Sequence, residues 1–179
     1  DLGGGTYMSI EQDRKTVYIA TPYDKQIDAC NERLNKTYIY YGASGEQKKE
    51  AQAAQDRNAE SYGMSNKVER AVSKSSHAYT NSSWDLVDAA KEDESVIASA
   101  PAAQLPKEMQ GMSAAQRKAY VDQKAGERKK IQDEIQELNK SRQAYIAAHT
   151  PKTDDAMLDA AMINAIRGKA KEKNLEWEK

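Results

Sequence analysis

Apolar positions along this chain recur at helical spacing in a few places, and long polar stretches separate them. Tyr23, Ile27, Cys30, Leu34, Thr37 or Tyr38, and Tyr41 alternate between four and three residues apart. That rhythm draws one apolar stripe along a helix. Its start is marked: Thr21 suits the N-cap, Pro22 the first helical position, and Asp24 the first turn, near the positive end of the dipole. The helix is expected to run to Gly42, a natural stop, although "TYIYY" at 37–41 also reads as extended. Ahead of it, "GTYMSIEQD" reads as a short strand over Tyr7, Met8, Ser9 and Ile10, and "QDRKT" as a polar turn.

From Ala43 to about Ser61 the pattern lapses. "ASGEQKKEAQAAQDRNAES" has no apolar face and is expected to be a surface connector with a turn or two of helix. "MSNKVERAVSKSSH" predicts a short helix with Val68, Ala71 and Val72 inward. "NSSWDLVDAAKED" predicts another, capped by Ser82 or Ser83, with Trp84, Leu86, Val87 and Ala90 available for packing. "SVIASAPAAQLPKEMQG" carries two prolines and many small residues and is expected to be mostly extended.

The best-marked helix begins at Ser113, with Gln116 at capping-box spacing. Val121, Ala125, Arg128, Ile131 or Gln132, Ile135, Leu138, Arg142 and Tyr145 trace a narrow seam, which Arg128 and Arg142 interrupt. Gly126 in its interior costs about 1 kcal/mol against Ala and invites a bend. The helix should end before Pro151. Thr153 then caps a last helix, with Asp154 and Asp155 in its first turn and Met157, Leu158, Ala161, Met162, Ala165 and Ile166 as its apolar face. The two helices suggest an antiparallel hairpin. The expected fold is mainly α: a short N-terminal β segment and helix over 1–42, a polar connector with short helices over 43–110, and a helical hairpin over 111–179.

Composition sharpens this picture. The chain has 179 residues, ten Tyr, two Trp and no Phe, with a mean hydropathy of -0.92. Ala supplies much of the apolar content, so packing should be thin and Ala-rich. Lys and Arg number 27 against 28 Asp and Glu, so no basic footprint for nucleic acid exists and strong charge does not force disorder. "KAGERKK" is the most basic stretch, but the adjoining "QDEIQE" turns it into ion pairs along a helix rather than a cationic stripe. A single cysteine, Cys30, excludes an intrachain disulfide and should lie buried on the first stripe. No apolar run reaches the length of a transmembrane helix.

Candidate chemistry is sparse. The glycines of "DLGGGTYMSI" precede a strand rather than join a strand to a helix, and position 8 is Met where GxGxxG needs Gly. A turn into a strand fits better than a phosphate cradle. His77 and His149 have no second ligand at metal-binding spacing. Asp85, Asp88, Glu92, Asp93 and Glu94 read as a solvated helix face. Ser75, Ser76 and His77 invite a nucleophile reading, but neighbours in sequence rarely make a working dyad and no orienting acid is evident. Tyr38, Tyr40 and Tyr41 offer either a recognition patch or a core joint, and the joint is the commoner use. No catalytic, cofactor-binding or metal-binding residue is assigned.

The stretch "DLGGGTYMSIEQDRKTVYIATPYDKQIDACNERLNKTYIYYG" resembles the end of a von Willebrand factor type A (VWA) domain in bacterial VWA-containing proteins. In that family a Gly-rich step enters the last strand of a doubly wound sheet, and a final helix closes the fold. "SKSSHAYTNSSWDLVDA", the 105–149 segment and "DDAMLDAAMINAIR" are similar to the helical extension that follows. The resemblance implies a non-catalytic binding or scaffolding role, a protein partner and an extracytoplasmic location. The family's metal site uses an Asp-x-Ser-x-Ser loop, absent from this sequence, so a divalent metal would belong to loops upstream of Asp1. It also implies that strand Tyr7–Ile10 lacks its sheet neighbour and is expected either to pair elsewhere, with "TYIYY" or another chain, or to be poorly ordered. Two other classes stand beside it: self-association through the Val121–Tyr145 seam, giving a homo-oligomer, and, with least support, a hydrolytic enzyme.

Overall fold

The computed structural model describes residues 18–150, and the expected strand Tyr7–Ile10 and last helix from Thr153 lie outside them. The chain divides into two units, Asp1–Arg142 and Gln143–Lys179. The described residues are mainly α-helical: α1 (Asp24–Asn35), α2 (Gly45–Ser61), α3 (Met64–Ser75), α4 (Leu86–Glu92), α5 (Ser95–Ser99) and α6 (Ala114–His149). Elements on both sides of residues 42 and 110 share the cores of the first unit, so its packing does not divide at those positions.

Helix α1 buries the expected stripe, with Ile27, Cys30 and Leu34 all inward. It stops at Asn35 rather than near Gly42. The reason lies in "TYIYY": its β-branched and aromatic residues leave the helix and take backbone bonds from a distant segment. Tyr41 N–H donates to the Trp84 carbonyl at 2.9 Å, and Leu86 N–H to the Ile39 carbonyl at 2.8 Å. Tyr40 and Asp85 form an isolated antiparallel bridge. Gly42 makes a turn instead of a helix stop, at φ +80°.

The polar segment after Gly42 is not a loose connector. It forms α2, a helix of 17 residues in which only Gly45 and Gln52 are buried. Helix α3 turns Val68 and Ala71 inward as expected. The cap of α4 is Asp85, whose carboxylate accepts from Asp88 N–H at 3.1 Å, and not Ser82 or Ser83. The proline-containing stretch that follows is not extended: it builds α5 and two single 3-10 turns, Ala102–Gln104 and Lys107–Met109. At the start of α6, Ser113 N–H donates to Gln116 Oε1 and Gln116 N–H to Ser113 Oγ, which is the expected reciprocal cap. The helix runs unbroken through Gly126.

Two apolar clusters make the core. One joins Ile27, Cys30, Leu34, Tyr38, Val68, Ala71, Trp84, Ile131 and Ile135. The other joins Ile39, Leu86, Val87, Ile97, Ala100, Leu105, Met109 and Val121. Helix α6 thus serves both, with Val121 in one and Ile131 and Ile135 in the other. The seam that could have paired with a second copy is occupied by the chain's own residues over this length.

Candidate functional site

The residues that interrupt the seam prove to be its anchors. Arg117, Arg128 and Arg142 are all buried, and they stand eleven and fourteen residues apart, close to whole numbers of helical turns. One face of α6 therefore carries three guanidinium groups between apolar side chains. Burial of a charge is costly unless it is paired and hydrogen-bonded. Arg128 and Arg142 meet carboxylates from other elements, whereas Arg117 meets a backbone carbonyl and its buried Nε has no hydrogen-bond partner.

Arg128 lies between Val121 and Ile131, where the two apolar clusters adjoin along α6. Its Nη1 donates to Asp85 at 2.6 Å and to Asp88 at 3.0 Å. Its Nη2 donates to the Thr37 carbonyl at 2.8 Å and to Asp85 at 3.2 Å, and its Nε to Thr37 Oγ1 at 3.0 Å. The guanidinium also lies 4.3 Å from the Tyr38 ring centroid. Burial opposes the Arg128 charge, but the bonds and charges of Asp85 and Asp88 outweigh it and raise its pKa. Burial pushes the Asp85 carboxyl above its ordinary value, against the pull of Arg128. Asp85 also accepts from Ile39 N–H at 2.8 Å, so one carboxylate caps α4, holds the 37–41 segment and receives Arg128. Asp85 and Asp88 are therefore interior residues, not the solvated face expected of them.

Arg142 repeats the arrangement at the other end of the first unit. Its Nε donates to Asp24 at 3.0 Å and its Nη1 to Glu69 at 2.7 Å. Asp24 accepts further bonds from Thr21 N–H, the Thr21 hydroxyl and the Tyr18 hydroxyl. Burial works against the Asp24 carboxylate, but these four donors hold its pKa below the ordinary value. Burial and the bond to Asp24 push the Tyr18 phenol up to about 12. Arg117 donates to the Ala100 carbonyl at 2.9 Å.

A third polar centre joins α1, α2 and α3. Asp56 of α2 accepts from Lys74 Nζ at 2.7 Å, Asn35 Nδ2 at 2.8 Å and Arg70 Nε at 2.5 Å. Lys74 is fully buried and also donates to the side-chain oxygens of Asn31 and Asn35.

The serines and histidine singled out in the sequence share one groove of about 550 Å³, where Ser76, His77 and Lys91 face Gly126, Lys129 and Asp133 of α6. Their bonds are structural. Ser75 Oγ donates to the Val72 carbonyl and receives Gln136 Nε2, and Ser76 Oγ accepts from Ala78 N–H. His77 is exposed. His149 belongs to the second unit, where it stacks on Tyr145 at 3.9 Å between centroids in the last turn of α6. Within "KAGERKK", Lys124 pairs locally with Glu127 and Lys129 with Asp133 as expected, but Arg128 pairs with the distant Asp85 and Asp88 instead. Cys30 is buried on its stripe, and burial pushes its thiol up to about 11. Tyr38 is a core residue, and the Tyr41 hydroxyl donates to the Ser82 carbonyl.

Among the described residues no group of three His, Cys, Asp or Glu side chains is placed to hold a metal, and no helix is long and apolar enough to cross a membrane. No family model, no curated protein and no solved structure matches the chain.

Proposed function

We propose that this chain is the non-catalytic, mostly helical C-terminal region of a VWA-containing protein, with a binding or scaffolding role outside the cytoplasm. The observation that carries the reading is where the buried charge goes. Arg128, Arg142, Asp24, Asp85 and Asp88 each pair across elements, and together they fix α6 to the rest of the first unit. Such charges mark a rigid mount, whereas a catalytic centre directs convergent acid, base and nucleophile into a cleft. The sequence resemblance supplies the family, the protein partner and the location. On this reading any metal-dependent ligand site lies in Asp-x-Ser-x-Ser loops upstream of the chain.

The test is the reading frame preceding Asp1, expressed together with this chain. An Asp-x-Ser-x-Ser loop after an apolar strand is expected, with Mg²⁺ bound by the longer protein and lost on replacing that loop's Asp with Ala. An upstream sequence without such a loop would overturn the family reading. Ester hydrolysis by residues 1–179 that disappears in Ser76→Ala or His77→Ala would overturn the non-catalytic one.

A further inference from the structure

Helix α2 is built unlike its neighbours. Its sequence, "GEQKKEAQAAQDRNAES", holds no apolar side chain larger than Ala. Little apolar area is withdrawn from water when it docks, so the term of about 25 cal/mol per Å² that holds α1, α3 and α6 is small here. Polar contacts fasten it instead. Asp56 takes three donors, from Asn35 of α1 and from Arg70 and Lys74 of α3. Lys49 Nζ donates to the Tyr38 carbonyl at 2.9 Å, Gln52 reaches the Tyr79 hydroxyl at 3.4 Å, and Lys67 meets Glu60 at 3.0 Å. The helix is also bracketed by Gly42 at φ +80° and Gly63 at φ +107°, the two glycines in left-handed backbone among the described residues. A side chain at either would be strained, and both have open space around them.

The cradle under Asp56 has donors to spare. Arg70 gives only its Nε to Asp56, and its buried Nη2 has no hydrogen-bond partner. A guanidinium matches a carboxylate best through two parallel N–H···O bonds. Asp56 does not make that pair: its Oδ1 takes Arg70 Nε, while its Oδ2 takes Lys74 and Asn35. A carboxylate free to orient itself could use Nε and Nη2 of Arg70 together and still reach Lys74.

We propose that α2 is a lid that opens about Gly42 and Gly63, and that Asp56 is the built-in occupant of a carboxylate-binding cradle formed by Arg70, Lys74 and Asn35. The ligand class is an acidic side chain or free carboxylate that displaces Asp56 as the lid swings away. Asp56 lowers the apparent affinity of the cradle by competing for it within the molecule.

The experiment uses the full chain. Native-state hydrogen exchange of the wild type in low denaturant should show amides 46–61 exchanging through a local opening, ahead of α6 amides 121–142. In Asp56→Asn, exchange of 46–61 should accelerate at least about tenfold, with 121–142 unchanged. Exchange of the two segments in step, in wild type or variant, overturns the lid. In Asp56→Ala, sodium acetate titrated at constant ionic strength against sodium chloride should shift the Asn35 side-chain amide resonances along a saturable curve. An unsaturable response, or one that chloride reproduces, overturns the cradle. A saturating acetate shift that Arg70→Lys fails to weaken removes the bidentate role of Arg70.

Discussion

Replacing Arg128 with Met tests whether the polar layer on α6 is structural. Met replaces the Arg128 stem as far as about Nε, so the change removes the guanidinium head with its charge, its five donors and its volume. Arg128 is 2% exposed and Asp85 is 0% exposed, so the variant leaves a carboxylate in the interior without its cation. Asp88 loses the same partner and keeps only Lys91 and Asn81 N–H. Thr37 loses donors at both its carbonyl and its hydroxyl. Removing one member of a buried pair costs about 3–5 kcal/mol. With a urea slope of about 2 kcal/mol per M, the unfolding midpoint should fall by about 2 M. Chemical denaturation followed by helical circular dichroism reads the shift, and an unchanged slope confirms that the unfolding unit is the same. Asp85→Asn in the Met background should recover about 1–3 kcal/mol, because the uncompensated charge is gone while the amide oxygen still serves Ile39. Arg128→Lys should fall between wild type and Met, since a single ammonium cannot span Asp85 and Thr37 together. A Met variant within about 0.3 M of wild type, where the slope implies about 2 M, would refute the reasoning.

Three further outcomes follow from particular side chains. Cys30, buried and with its thiol pushed up to about 11, should resist a bulky disulfide reagent at pH 8 until urea unfolds the chain; fast native labelling would contradict the α1 stripe. Gly126→Ala should raise stability by about 1 kcal/mol, because the added methyl meets no atom within 4 Å and a helix interior favours Ala; a lower urea midpoint would contradict the open groove. Asp24 has a lowered folded pKa, so its stabilisation is full above the unfolded value of 3.8 and is lost as pH falls through the folded one. The urea midpoint of wild type minus that of Asp24→Asn should therefore shrink below pH 4, and a difference constant from pH 6 to pH 2 would show that Asp24 has no depressed pKa.

Apolar spacing made three things legible: the α1 stripe, the inward face of α3, and the seam of α6 with its cap at Ser113. Each rests on local periodicity or capping, which a single segment declares by itself. Three of the misplaced features depend on a partner far away in sequence, whereas the α4 cap and the turns after α5 are made by local bonds. Thr37–Tyr41 leave the helix because Asp85 and Trp84, more than forty residues on, supply their backbone bonds. Asp85 and Asp88 look like solvated acids until Arg128 arrives from α6. Helix α2 has no apolar face to announce it, and its docking depends on Asp56 meeting Lys74 and Arg70. The carboxylate halves of these pairs leave no periodic signature, because Asp24, Asp85 and Asp88 look like ordinary surface residues within their own segments.

A signal was nonetheless present in α6. Arg128 and Arg142 fall on the same face as Val121, Ile131 and Ile135, and a seam predicts burial for whatever occupies its positions. Reading the arginines as interruptions assumes that the seam must be apolar; reading them as members predicts that the chain holds buried carboxylates to match. Asp24, Asp85 and Asp88 are those carboxylates. The match also bears on self-association. A second copy docking on this face would have to supply the same acids at the same intervals, whereas the chain's own α1 and α4 regions already do so. The arginines thus act as register marks for α6, since sliding it by one residue would strand every one of these charges.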